Sequence, residues 1–237
     1  LIGLLAHGSH YQFIRNAYDQ LNDNAKKVFL FTSLLYRFGI LMPASVLRRL
    51  IDISWDDFLK EIIPYNFKNF VTRVETAVQG SDPDLFYKTR HKIISEKLVN
   101  TLLPDEDSRL AQYEFLLRKL PDTHFCAELS VDLLKALRHT GDLSMDKIDR
   151  LFDVCAEQFD EDTQFNLHYA INLQHRQTEA AYKRALSRIT YAESFLEQRN
   201  HRLIHRKALL HYHLAKFYYL SDSADARNAP THVDSAE

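Results

Sequence analysis

LFYKTRHKIISEKLV, residues 85–99, joins a strand pattern to a helix pattern. Residues 85–90 are rich in aromatic and β-favouring side chains. From about residue 91 the apolar side chains recur with helical spacing until Pro104 stops the run. The sequence therefore predicts a strand that leads directly into a helix. The cationic or titratable side chains at this junction are Lys88, Arg90, His91 and Lys92.

The predicted start of this helix has the properties of an anion site. A helix N-terminus carries backbone N–H groups that lack partners within the helix, together with a partial positive charge. Arg90 and His91 would add side-chain donors at the same place, and this combination suits phosphate. The alternative interpretation is that these side chains only face solvent at the corner.

The residues upstream of the junction predict four helices. Helical spacing covers residues 9–21 and 24–38, and Asn22 or Asp23 can cap the second of these helices. A short third helix begins near Pro43. Ser54 and Asp57 form a capping pair for a fourth helix that ends at Pro64, and Gly39 is expected to stop the second helix.

The sequence period changes at FVTRVETAV, residues 70–78, where alternate side chains fall on opposite faces as in a strand. GSDPD follows and predicts a turn, so this strand forms a hairpin with residues 85–90. Three short helices, a hairpin and a closing helix are the pattern of a winged-helix domain, which we place at residues 23–104.

From residue 105 the chain predicts one helix after another, so the protein as a whole is expected to be mostly α-helical. Ala181, Ala185 and Ala192 alternate with large apolar residues, which lets antiparallel helices approach closely. The array at 105–220 resembles tetratricopeptide repeats without a regular period of about 34 residues. A polar tail, 221–237, is expected to be irregular. The predicted helices lie near 106–119, 123–138, 144–158, 161–175, 177–198 and 201–220.

Composition excludes several classes of function. The chain has 237 residues, of which 46% are hydrophobic, and a formal net charge of −2, so its overall charge does not favour nucleic acid or an anionic membrane. No apolar run reaches the ~18 residues that a membrane span needs. Cys126 and Cys155 have no CxxC spacing, which indicates reduced core thiols in a cytoplasmic protein.

Sequence motifs of catalysis are absent as well. Neither GxxxxGK[ST] nor GxGxxG occurs, and five scattered glycines cannot build a loop that cradles phosphates. No GxSxG context selects a serine for a catalytic triad. We therefore expect no catalytic residues in this chain and no enzyme activity.

DNA and metal ions are also disfavoured as ligands. The element that would read DNA in a winged helix, SWDDFLKEII at residues 54–63, carries three acidic side chains and one lysine, so DNA phosphates would repel it. His201 and His205 lie four residues apart and could contribute to a zinc site. Structural zinc takes four ligands and no cysteine is near, so we predict no metal site.

Charge is distributed unevenly along the helical array. Residues 105–162 contain 15 acidic and 7 basic side chains, a balance of −8, whereas 163–220 contain 3 acidic and 9 basic ones, a balance of +6. The basic part predicts a docking surface for an acidic protein, a nucleic acid or a neighbouring subunit. The alternatives are a solvated surface and internal pairing between neighbouring helices. The predicted partner-binding residues are Arg184, Arg188, Arg199, Arg202, Arg206 and Lys207.

The order of a helix bundle, a winged helix, the motif TRHKIISE and helical repeats resembles the C-terminal part of STAND-class ATPases. These are AAA+-related signalling switches that include bacterial antiviral proteins. The resemblance implies that residues 1–22 end a helical lid region. It also implies that His91 takes the place of the histidine that contacts the β-phosphate of bound ADP. Arg90 and Lys92 stand where the family usually has methionine and aspartate.

The resemblance implies a function in regulation. The winged helix would sense ADP or ATP held by the parent chain, the repeats would bind a protein trigger, and the parent would oligomerise. Anti-phage defence would be the setting of this switch. Since the chain lacks an initial methionine, we expect it to be a piece of a longer protein. The main alternative is a free-standing adaptor that binds protein without nucleotide. A weaker alternative is a nucleic-acid-binding regulator that uses residues 176–216.

Overall fold

A computed structural model describes residues 9–61, 71–76 and 84–228 of the protein. These residues form eleven helices and one three-stranded antiparallel sheet. The prediction of a mostly α-helical protein with a small β-hairpin is therefore confirmed.

Two compact units make up the chain, one ending at Gln158 and the other beginning at Phe159. The boundary that the sequence predicts between residues 104 and 105 falls inside the first unit. The division into a winged-helix domain and a repeat domain stays a prediction.

The first unit contains eight helices and three strands among its described residues. Its helices are α1 (Ser9–Asp19), α2 (Asp23–Tyr36), α3 (Ala44–Ile51), α4 (Trp55–Glu61), α5 (Lys92–Leu102), α6 (Glu106–Arg118), α7 (His124–Thr140) and α8 (Met145–Ala156). Its strands are β1 (Met42–Pro43), β2 (Val71–Thr76) and β3 (Asp84–Thr89).

β3 is the central strand of the sheet. β2 runs antiparallel to it with Val71 opposite Thr89, and β1 joins its other edge with Met42 opposite Tyr87. The hairpin of β2 and β3 was predicted and is confirmed. The sequence did not predict β1, because a two-residue strand that ends in proline has no period to detect. Residues 80–83 of the predicted turn lie outside the described part of the chain.

Local signals set the helix ends in the first unit as predicted. The Asn22 side chain accepts a 2.8 Å hydrogen bond from the Ala25 N–H and caps α2. Gly39, at φ +84°, takes the left-handed conformation that follows the end of that helix. The Ser54 hydroxyl accepts a 3.1 Å bond from the Asp57 N–H at the start of α4. The predicted end of this helix at Pro64 lies outside the described residues.

Aromatic contacts in the first unit cross the boundary predicted at residue 104. Phe31 of α2 stacks on Phe115 of α6 with ring centroids 5.7 Å apart. Phe86 of β3 meets Phe125 of α7 edge-on at 6.1 Å. Phe125 is 39% exposed because this contact covers only part of the ring.

The second unit consists of three helices in its described residues, α9 (Thr163–Gln174), α10 (Glu179–Ser194) and α11 (His201–Asn228). α10 packs against both α9 and α11. Ala181, Ala185 and Ala192 are buried along α10, so the predicted close approach of helices through small residues is confirmed. Phe195, which was predicted to pack beside them, lies just after the helix and is 41% exposed.

α11 continues beyond its predicted end. The sequence predicts a helix at 201–220 followed by an irregular tail, whereas the helix extends to Asn228. The prediction is wrong for residues 221–228, SDSADARN, because adding residues to an existing helix needs no new nucleation and two alanines favour it. Residues 229–237 lie outside the described part.

Candidate functional site

The junction between β3 and α5 is fixed by a buried pair of hydroxyl groups. The Thr89 hydroxyl donates to the His91 carbonyl at 3.1 Å and lies 2.7 Å from the Ser95 hydroxyl. Thr89 and Ser95 are fully buried. His91 itself is extended at φ −143°, ψ 140°, and serves as the N-cap of α5 without a side-chain capping bond. The hydroxyl groups of Thr89 and Ser95 thus fix the start of α5, and the His91 imidazole takes no part in these hydrogen bonds.

The two predicted phosphate-sensing residues, Arg90 and His91, are consecutive at this junction. Both are exposed, and neither makes a side-chain hydrogen bond or ion pair with any other described residue. The first turn of α5 carries no acidic residue. Because no described carboxylate neutralises them, Arg90 and His91 remain available to an anion at the helix N-terminus.

The two neighbouring lysines point toward α2. The ammonium group of Lys92 lies 2.7 Å from where a Cβ on Gly39 would stand, so Lys92 extends across the turn that follows α2. The ammonium of Lys88 lies 6.0 Å from the ring centre of Tyr36, the last residue of α2. A helix C-terminus carries a partial negative charge that suits these cations. The lysines therefore extend toward the end of α2, and Arg90 and His91 are the exposed donors of the junction.

Four of the six predicted partner-binding cations are engaged with α9 or the residues before it, namely Arg184, Arg188, Arg202 and Arg206. Arg188 forms a 2.7 Å ion pair with Asp160. Arg184 lies over the ring of Tyr169 and donates to its hydroxyl.

Arg206 of α11 donates a 2.8 Å hydrogen bond to the Gln174 side chain of α9. Partial burial lowers the pKa of Arg206 from its ordinary value. This arginine therefore belongs to the packing between α9 and α11.

Arg202 is the fourth cation that contacts α9, and the remaining two, Lys207 and Arg199, differ from one another. Lys207 forms a 2.6 Å ion pair with Glu193 of α10, and Arg202 donates at 3.2 Å to the Gln164 side chain. Arg199 is exposed and lines an open cleft at the α10–α11 connection. Most of the predicted basic surface therefore holds the second unit together, which corresponds to the internal-pairing alternative raised by the sequence.

A buried charge cluster in the first unit was not predicted. Arg37, after α2, donates a 2.6 Å hydrogen bond to Asp142 in the loop after α7. Arg109 of α6 lies 3.5 Å from the same carboxylate and also donates to the Leu103 carbonyl at 3.0 Å. Tyr113 lies 3.5 Å from the second carboxylate oxygen, and burial raises its pKa above the ordinary value. A sequence carries no signal for such pairing, because Arg37 and Asp142 are 105 positions apart.

The outer face of α11 is a second feature that the sequence interpretation missed. Tyr212 and Tyr219 are 61% and 75% exposed on this helix. The sequence predicted a helix at 201–220, but it assigned no residues to a buried or an exposed side. The signal available in the sequence was the recurrence of Ala208, Tyr212, Ala215 and Tyr219 at helical spacing.

Within the described residues, no group of three or more His, Cys, Asp or Glu side chains is arranged to hold a metal ion. No helix in the described ranges is long and apolar enough to cross a membrane.

No family model matches the chain, and no curated protein or solved structure compared with it matches either.

Proposed function

We propose that this chain is the regulatory region of a nucleotide-driven switch. Arg90 and His91 bind a phosphate of ADP or ATP that another domain of the parent protein holds, and the C-terminal helices bind a protein trigger. The observation that carries the proposal is the pair of exposed donors at the start of α5, which has no acidic partner among the described residues. Charge-assisted hydrogen bonds to phosphate are stronger than hydrogen bonds between neutral groups.

The element order supports a winged-helix domain at this site. α2, β1, α3, α4, β2 and β3 follow one another, and β1 pairs with β3 as the third strand of the sheet. The exposed face of α4 carries Asp56, Asp57 and Lys60, a balance that disfavours DNA as the ligand. The proposed parent is a STAND-class ATPase, with TRHKIISE as the phosphate-sensing motif and antiviral signalling as its setting. The chain itself supplies no catalytic group in this proposal.

Calorimetric titration of the chain with ADP tests phosphate sensing. We expect weak, millimolar binding, because the parent's nucleotide domain would supply most of the contacts. The His91→Ala variant should bind about tenfold more weakly, since a charge-assisted hydrogen bond contributes about 1.5–3 kcal/mol. His139→Ala, which removes another exposed histidine of the first unit, is the matched control and should not change binding. Equal affinities for ADP in the His91 and His139 variants would contradict the proposal.

A free-standing adaptor is the second candidate, and a separate observation favours it. Exposed aromatic residues on α11 offer a protein-binding surface that needs no nucleotide. If the chain binds no ADP while α11 binds a partner helix, the adaptor function replaces the nucleotide switch.

A further inference from the structure

We propose that the outer face of α11 docks an acidic amphipathic helix of a partner protein. This inference rests on the second unit alone and does not require phosphate binding at the β3–α5 junction. The outer face comprises Ile204, His205, Ala208, His211, Tyr212, Ala215, Lys216 and Tyr219, all of which are exposed.

The opposite side of α11 is already covered within the second unit. Leu203 and Leu210 are fully buried. His213 stacks on Tyr182 of α10 with ring centroids 5.9 Å apart, and Phe217 meets the same ring edge-on at 6.5 Å. These four positions recur at intervals of three, four or seven residues and define one side of the helix. The outer face is therefore the side that α9 and α10 leave uncovered.

The outer face has the apolar pattern that another helix would need. Ile204, Tyr212 and Tyr219 are 42%, 61% and 75% exposed. Ala208 and Ala215 fall between them, so large and small residues alternate every three or four positions along about 22 Å of helix. Buried alanines of α10 give the same kind of close approach inside this unit. A helix of about four turns could lie along this stripe.

Charge selects the chemistry of the partner. Residues 201–220 contain no aspartate or glutamate, four lysines or arginines, and four histidines. Arg206 and Lys207 are engaged with α9 and α10, but Lys216, His205 and His211 border the apolar stripe on the outside. A partner helix with flanking glutamates complements this border. A second copy of the chain is disfavoured, because the exposed residues of this face include no carboxylate that could pair with Lys216 of another copy.

An open cleft of about 410 Å³ adjoins the first turn of α11. Ile204 belongs both to this cleft and to the outer face, and Leu196 adds a second apolar side chain. Arg199 lines the cleft together with Glu197 and with Glu193, which pairs with Lys207, so the cleft offers an apolar seat and no net positive charge. Interfaces concentrate binding in such pockets, and the cleft is therefore the expected seat for an apolar anchor at one end of the partner helix.

A synthetic acidic helix tests the proposal with the intact chain. The probe is a fluorescent peptide of three Leu-Glu-Ala-Leu-Glu-Glu-Ala heptads, and the matched control peptide has lysine at every glutamate position. Fluorescence anisotropy should show saturable binding of the acidic peptide and none of the basic peptide. The affinity should fall as salt is raised, because charges at an exposed border are screened.

Three variants locate the binding surface. Tyr212→Ala should weaken binding of the acidic peptide at least tenfold, since exposed tyrosines are common binding hot spots. Lys216→Glu should also weaken binding of the acidic peptide, and the loss of affinity should be larger at low salt than at high salt. Ile93→Ala, which truncates a 49% exposed isoleucine on α5, is the control for substitutions on α11 and should leave binding unchanged. Circular dichroism of each variant should match that of the original chain.

Three results would overturn the proposal. One is an acidic peptide that does not bind, or that binds equally to the Tyr212→Ala and original chains. Another is an oligothymidylate that binds through Tyr212 while the acidic peptide does not, which would identify a nucleic-acid surface. The third is a dimer in sedimentation equilibrium that Tyr212→Ala dissociates, which would make a second copy the occupant.

Discussion

Asp142 joins two parts of the first unit through a pair of arginines. Its side chain is 7% exposed, and Arg37 and Arg109 approach it from the end of α2 and from α6. Two buried guanidinium atoms, Nη1 of Arg37 and Nε of Arg109, have no hydrogen-bond acceptor among the described residues. Removing the carboxylate would leave two buried cations without a counter-charge. This costs more stability than replacing all the charged partners by apolar residues would.

We predict that Asp142→Ala lowers the free energy of unfolding by about 3 kcal/mol, the usual cost of breaking a buried ion pair. Asp132→Ala is the control, because its carboxylate is 65% exposed and its pairing with Lys135 contributes about 1 kcal/mol at most. Urea denaturation of both variants measures the difference. Equal stabilities of the two variants would show that the cluster contributes nothing beyond a surface pair.

Individual residues show which positions in the fold can be predicted from sequence, whereas the phosphate-sensing role of Arg90 and His91 stays a prediction. Arg90 and His91 were selected from a local motif, and a local motif also decides that they lie at a helix start. The cations of the second unit were selected from charge balance, which does not reveal which ones face a neighbouring helix. Two of the residues selected in this way, Arg188 and Lys207, form ion pairs inside the unit.

At the scale of elements, predictions succeeded wherever a period extended over several turns. α2 and α7 differ from their predicted bounds by at most two residues, because apolar spacing and capping residues agree there. β1 was missed because its two residues are a strand only through their pairing with β3, which a local sequence pattern does not reveal. The C-terminal part of α11 was missed because polar composition was taken as a sign of irregular structure, although an established helix can extend through polar residues.

At the scale of the whole molecule, the first unit unites segments that the sequence assigned to two domains. The stack of Phe31 on Phe115 and the Arg37–Asp142 pair both cross residue 104. We predict that a fragment ending at Gln158 unfolds cooperatively, whereas a fragment ending at Pro104 is less stable because these contacts are lost. Thermal unfolding followed by circular dichroism compares the two fragments. A fragment ending at Pro104 that is as stable as the longer one would support the domain boundary predicted from sequence.

The central claim is that the β3–α5 junction binds phosphate through His91, and NMR of the histidine side chains tests it most directly. Inorganic pyrophosphate is titrated into the chain at constant ionic strength, with sulfate as the control anion. The account predicts that the His91 imidazole signals shift to saturation with pyrophosphate while those of His139 do not. His91 signals that stay in place, or that move no more than those of His139, would contradict it.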